Sequence, residues 1–204
     1  MSSMSDPTQP GPARWPHTGV VLAGGVARRM GRPKHDLALP DGRTMIDAVV
    51  AALREVCDRV IVAGDAGPGV QRVVDLRPGQ GPLGGIEAVL DSGLDTQYLV
   101  CPCDVPLVTG DLLRRLLAAP SAKAAVFRVE GEDGFRPLPA RIPADLRGRA
   151  GALLDRQRRS VRGFLAAAGA EVISLSRADA ARLTNVNTPA DYEALRRSSL
   201  SDGE

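Results

Sequence analysis

Four runs in the first half of the chain, GVVLAG (19–24), RVIVAG (59–64), RVVD (72–75) and QYLVCPCD (97–104), are short, β-branched and almost wholly apolar. Gly, Pro or Asp closes each one. Runs without polar alternation suit strands covered on both faces. Between them lie segments of helical periodicity. TMIDAVVAALREV (44–56) places Met45, Val49, Ala52 and Val56 on one face, and LGGIEAVLDSG (83–93) and TGDLLRRLLAAP (109–120) follow. Thr109 or Asp111 can cap the last of these, and Pro120 ends it. After Lys123 come a strand (KAAVFRV, 123–129), a Pro-rich connection, helical stretches around GALLDRQ and SVRGFLAAAG, a strand EVISL and a final helix from Pro189. This alternation predicts an α/β fold: a three-layer, doubly wound, mainly parallel sheet. In such folds ligands bind beyond the carboxyl ends of the strands.

The stretch that follows the first strand is GGVARRMGRPK (24–34). Glycines there let backbone N–H groups approach a phosphate. Neither common phosphate signature fits: five residues, not four, separate Gly25 from Gly31, and G-x-G-x-x-G is absent. What remains is a long loop with Arg28, Arg29 and Lys34, cationic enough for a triphosphate. Lys34 and Lys123 are the only lysines among 26 Lys and Arg, so a lysine kept at Lys34 is informative.

Asp104 ends another strand and precedes Val105-Pro106. A carboxylate there can hold Mg²⁺ against phosphates, or it can be an ordinary turn aspartate. The only asparagines, Asn185 and Asn187, stand two apart in TNVNTP. If that segment is extended, both side chains share a face and can meet a phosphate, a metal or a ring edge. Thr188 and Pro189 also read as the N-cap and first residue of the last helix, and both readings can hold together.

The 204 residues suit one domain, here residues 18–197, with a disordered leader (1–17) and a flexible tail (198–204). The leader has no hydrophobic h-region and no apolar run reaches ~18 residues, so neither a signal peptide nor a membrane span is expected and the protein is read as cytoplasmic. A net charge of +2 gives no nucleic-acid surface. Cys57, Cys101 and Cys103 read as small buried apolar residues, since CPCD lacks partner ligands for a metal. With His17 and His35 as the only histidines, no Ser-His-Asp set, Cys-His pair or carboxylate dyad emerges. A nucleophile that is already an anionic phosphate needs positioning and charge stabilisation rather than a strong base.

LAGGVARRMGRPK, GPLGGI (81–86), CDVP (103–106), RPLPA (136–140) and NVNTPAD (185–191), in that order, resemble the molybdenum cofactor guanylyltransferases over residues 18–192. The resemblance implies the nucleotide-diphospho-sugar transferase-like (GT-A-like) fold. It implies GMP transfer from GTP to the terminal phosphate of molybdopterin, with release of pyrophosphate and Mg²⁺ as cofactor. Leu22, Ala23, Gly24 and Gly25 would touch the nucleotide, and Arg29 and Lys34 its phosphates. Asp75 would line the guanine side, Asp104 would hold Mg²⁺, and Asn185 and Asn187 would help bind metal or pterin. Arg29, Lys34 and Asp104 would be the catalytic set. Transient contacts with cofactor-synthesis or acceptor proteins are further expected. Departures from the family pattern are Ala63, where an Asn ends the second strand, and His35 after Lys34. The other readings are a cytidylyltransferase on the same cofactor, a sugar-phosphate nucleotidyltransferase, and a non-catalytic nucleotide- or pterin-binding module.

Overall fold

The computed structural model describes residues 15–23, 37–64, 70–119 and 122–201. The elements run β1 (Trp15–Ala23), α1 (Met45–Arg54), β2 (Cys57–Gly64), β3 (Gln71–Val73), α2 (Pro82–Asp91), β4 (Gln97–Pro102), α3 (Gly110–Leu117), β5 (Ala125–Val129), β6 (Arg136–Pro143), α4 (Arg147–Asp155), α5 (Val161–Ala167), β7 (Glu171–Leu175), α6 (Arg177–Ala181) and α7 (Pro189–Ser201). One seven-stranded sheet has the order β3-β2-β1-β4-β6-β5-β7. All neighbours are parallel except β6, which runs antiparallel to both β4 and β5. The sheet is therefore mixed, with its parallel half at β3-β2-β1-β4.

Side chains alternate across the inner strands as a period of two requires. Val21, Val62, Leu99 and Cys101 face Val49, Leu53, Leu112, Leu113 and Leu116 of α1 and α3. Val20, Leu22, Ile61, Tyr98 and Val100 face Leu83, Ile86, Val89, Leu154 and Phe164 of α2, α4 and α5. These two cores make the three layers. A smaller cluster joins Met45 and Ala48 of α1 to Leu39, Val186 and Leu195. Caps start the helices where the residues provide them. Thr44 and Asp47 form a capping box on α1, and Thr109 Oγ1 accepts from the Leu112 amide of α3.

Two expectations need correction. The segment RPLPARIP, read as a connection, is β6 and lies inside the sheet. Its prolines argued against a central strand because each lacks an N–H. The ladder to β5 jumps from Val126↔Ala140 to Phe127↔Arg136, so Pro137 and Pro139 sit in an irregularity where no pairing is asked of them. Trp15 and His17, assigned to the leader, belong to β1: Trp15 pairs with Cys57, and its amide donates to Val56 O at 2.6 Å. Residues 1–14 lie outside the described residues. The short α6 was not anticipated. The three cysteines are buried and unbridged, and burial, with Asp58 and Asp95 nearby, pushes the Cys57 thiol up to about 12. Among the described residues no helix is long and apolar enough to cross a membrane.

At the end of the sheet where β1 begins, Asp95 ties β1 to the start of β4. His17 Nδ1 lies 2.6 Å from its Oδ1, and Thr18 Oγ1 donates to its Oδ2 at 2.9 Å. The Thr96 amide donates to Oδ1 at 2.7 Å. Burial opposes ionisation of Asp95, but these hydrogen bonds outweigh it and hold the carboxyl below its ordinary value. A depressed folded value contributes stability above the unfolded pKa that is lost as pH falls through the folded one. Asp95→Asn is therefore expected to cost about 2 kcal/mol at neutral pH in denaturant melts. The gap to wild type should close as pH drops below about 4. Equal stabilities at pH 7 would show that the clasp contributes nothing.

Candidate functional site

Strand order reverses between β1 and β4, with β2 and β3 on one side of β1 and β4 on the other, and in such sheets ligands bind beyond the carboxyl ends at that point. The two strands stay stitched past the last ladder pair, Leu22↔Pro102, by a bond from the Cys103 amide to Leu22 O at 3.1 Å. Leu22 and Ala23 close β1 at this edge. Gly24, Gly25, Arg28, Arg29, Lys34 and His35 lie outside the described residues.

On the β4 side, Asp104 follows Cys103. Its backbone carbonyl accepts from the Val186 amide at 2.8 Å, and its Oδ1 accepts from Asn185 Nδ2 at 2.8 Å. The side-chain contact joins residues 81 positions apart. Val186 is held because its side chain is buried in the third cluster, while Asn185 and Asn187 on either side of it are exposed. The expected period-2 arrangement is therefore present, and so is the cap. Asp191 Oδ2 accepts from the Asn187 and Thr188 amides at 2.9 and 2.8 Å, and the Asp191 amide donates to Thr188 Oγ1 at 3.1 Å. Upstream, Arg136 Nη1 donates to Leu183 O at 3.2 Å, fastening the start of this segment to β6. Nothing in the sequence marked Arg136 for that task.

The donor chemistry here is hard oxygen: one half-buried carboxylate, and an asparagine whose Nδ2 is engaged, leaving its carbonyl oxygen as an acceptor. Among the described residues no group of three or more His, Cys, Asp or Glu could enclose a metal. Such a set fits a cation like Mg²⁺, which keeps several waters and is commonly completed by substrate phosphates.

On the β2–β3 side the floor is apolar, with a carboxylate at its edge. Asp75 lies two residues beyond β3 and is half-buried. A Cβ placed on Gly85 of α2 would stand 3.4 Å from Leu22 Cδ2, 3.5 Å from Asp75 Oδ1 and 3.7 Å from Ala63 Cβ, so these four residues converge. Asp75 and Leu22 are thus brought together. Ala63 stands in that wall as a methyl group and offers no polar contact. Gly84 and Gly85 could have been singled out in the sequence, since glycine inside a helix costs about 1 kcal/mol and needs a reason.

A family model described as MobA-like NTP transferase domain matches residues 19–172. The chain is 33% identical over 185 residues to a molybdenum cofactor guanylyltransferase of Xanthomonas euvesicatoria pv. vesicatoria, covering 88% of this chain and 94% of the relative. It is 34% identical over 189 residues to a probable molybdenum cofactor guanylyltransferase of Mycobacterium avium, covering 87% and 93%. In fold it is similar to the crystal structure of molybdopterin-guanine dinucleotide biosynthesis protein A from Archaeoglobus fulgidus, with TM-score 0.73, 20% identity, and 91% and 100% of the two chains covered. It is also similar to 2-C-methyl-D-erythritol 4-phosphate cytidylyltransferase from Thermus thermophilus, with TM-score 0.66, 20% identity, and 89% and 98% covered.

The two helix glycines should separate on mutation. A Cβ on Gly84 would meet Gln80 Cβ at 2.9 Å, closer than real carbons approach, whereas the contacts at Gly85 are ordinary. Gly84→Ala is expected to lower the melting temperature. Gly85→Ala should hold or raise it by up to the ~1 kcal/mol of helix propensity. Equal shifts of both in thermal melts would contradict this packing.

Proposed function

The chain belongs to the MobA-like NTP transferase family, and on that premise we propose that it is a cytoplasmic nucleotidyltransferase that passes GMP from GTP to the terminal phosphate of molybdopterin. The observation that carries the reading is the Asp104–Asn185 pair, 2.8 Å apart, beside the end of β1. It puts a carboxylate, bonded by a neutral amide, one residue beyond Cys103, whose amide bonds Leu22 O, and Leu22 precedes the cationic stretch 24–34 in the sequence.

Guanine lies against Leu22, Ala63 and Gly85, with Asp75 accepting from its N1–H and 2-amino groups. The triphosphate then extends towards Asp104. An oxygen of the pterin's terminal phosphate attacks the α-phosphorus of GTP. The bond from that phosphorus to the bridging oxygen breaks, and pyrophosphate leaves with the electron pair. The attacking oxygen is already anionic, so no general base is needed. Arg29 and Lys34 offset charge on the phosphates, and a compact ammonium at Lys34 can serve where a planar guanidinium does not fit. Asp104 would hold Mg²⁺, with Asn185 and Asn187 supplying neutral oxygens or binding the pterin. When bound, the ion supplies charge neutralisation at the phosphates.

Two measurements test this. Asp104→Asn is expected to reduce turnover, read as pyrophosphate release with GTP and molybdopterin, by at least ~100-fold while the fold remains. Normal turnover at low Mg²⁺ would return Asp104 to the role of a turn aspartate. Calorimetric binding should favour GTP over CTP and ATP by at least ~tenfold, since an unpaired buried acceptor costs ~1–3 kcal/mol. A CTP preference would move the chain to cytidylyl transfer with the same mechanism, and no triphosphate binding would remove the enzyme reading.

A further inference from the structure

Residues 73–78, leading from β3 to α2, alternate in exposure. Val73, Asp75 and Arg77 are half-buried, while Val74, Leu76 and Pro78 face solvent. The connection bends at 76 and 77, and it turns its apolar side chains out and its charged ones in. Val74 is 75% and Leu76 55% exposed, and a one-residue slip or flip would turn both inward and send Asp75 outward. Apolar burial alone favours the flipped arrangement. Something stronger holds the observed one.

One counterweight is Arg77. Its Nη2 lies 3.2 Å from Glu87 Oε1 and its Nη1 2.5 Å from Asp155 Oδ1. Asp155 ends α4 and is well exposed, so its arm is weak. Glu87 differs. It sits in α2 at 5% exposure, packed against α4 so closely that a Cβ on Gly151 would stand 3.1 Å from its Oε1. Among the described residues, Arg77 provides its one ion pair, and Glu87 Oε2 has no hydrogen-bond partner. If Arg77 turned outward it would leave a buried carboxylate without a counter-charge, which is far costlier than leaving two apolar side chains in water. Arg77 and Asp75 both pack on α2, where a Cβ on Gly84 would stand 3.5 Å from Arg77 O and one on Gly85 3.5 Å from Asp75 Oδ1, so holding Arg77 there holds the backbone that carries Asp75.

We infer that the Arg77–Glu87 ion pair positions Asp75 against Gly85 and thereby sets which base the crevice accepts. Both are positioning residues, and the inference rests on Asp75 being the guanine acceptor. The test compares wild type, Asp75→Asn, Glu87→Gln and Asp155→Asn by calorimetry with GTP and ATP and by steady-state kinetics. Glu87→Gln is expected to cut the GTP-over-ATP ratio from at least ~tenfold to below ~threefold. KM for GTP should rise while kcat stays within about twofold, because base positioning contributes to binding and not to the phosphoryl step. Asp155→Asn should leave the ratio unchanged. If Glu87→Gln fails to melt cooperatively, the double variant Arg77→Leu/Glu87→Leu removes the pair without burying a lone charge and must show the same loss. A ratio that survives in the folded variant, while Asp75→Asn abolishes it, overturns this inference alone. A wild-type chain with no GTP preference overturns the reading of Asp75 and this one with it.

Discussion

The rest of the molecule depends on the burial of β1 on both faces. Val20 and Val21 are fully excluded from water, one facing the α2–α4–α5 layer and the other the α1–α3 layer. A strand covered in this way must be central, so it needs a parallel partner on each side, and it finds β2 and β4. The partners come from opposite directions of winding. The same choice that completes the core therefore reverses the strand order at β1, where Leu22 and Ala23 end the strand. The opposite end is closed by the Asp95 clasp, which leaves the two ends of the sheet chemically unlike.

The two sides of that strand's carboxyl end differ in chemistry. Towards β2 and β3 lie the methyl group of Ala63, a helix glycine and the Asp75 carboxylate. Towards β4 lie the Asp104 carboxylate and two asparagines, one of them hydrogen-bonded to it. Each side relies on support from further away. Asp104 meets Asn185 because Val186 is buried against α1 and α7, and Asp75 faces inward although its apolar neighbours do not. In both places a buried side chain lies beside the more accessible one: Val186 next to Asn185, and Glu87 against Arg77.

The same fold is taken by a cytidylyltransferase only 20% identical in sequence, so the sheet and its layers tolerate wide change in their residues.

Much of the fold was legible in the sequence because buried strands and amphipathic helices impose local periods on it. Helices α1, α2 and α3, the strands around them and the Thr188–Pro189 start of α7 all carry such marks. The strand β6 did not, since its prolines hide a strand that escapes their cost through an irregular ladder. The site was legible as residue types. Asp104 stood at a strand end, Asn185 and Asn187 stood two apart, and the spacing even told that the asparagines would share a face. That Asn185 hydrogen-bonds Asp104, that Leu22, Ala63, Asp75 and Gly85 share one wall, and that Glu87 is buried beside Arg77 was decided only by tertiary structure. Local sequence sets which face a side chain takes on its own element, but the partner across 81 residues is set by how separate elements pack, and no local period records that.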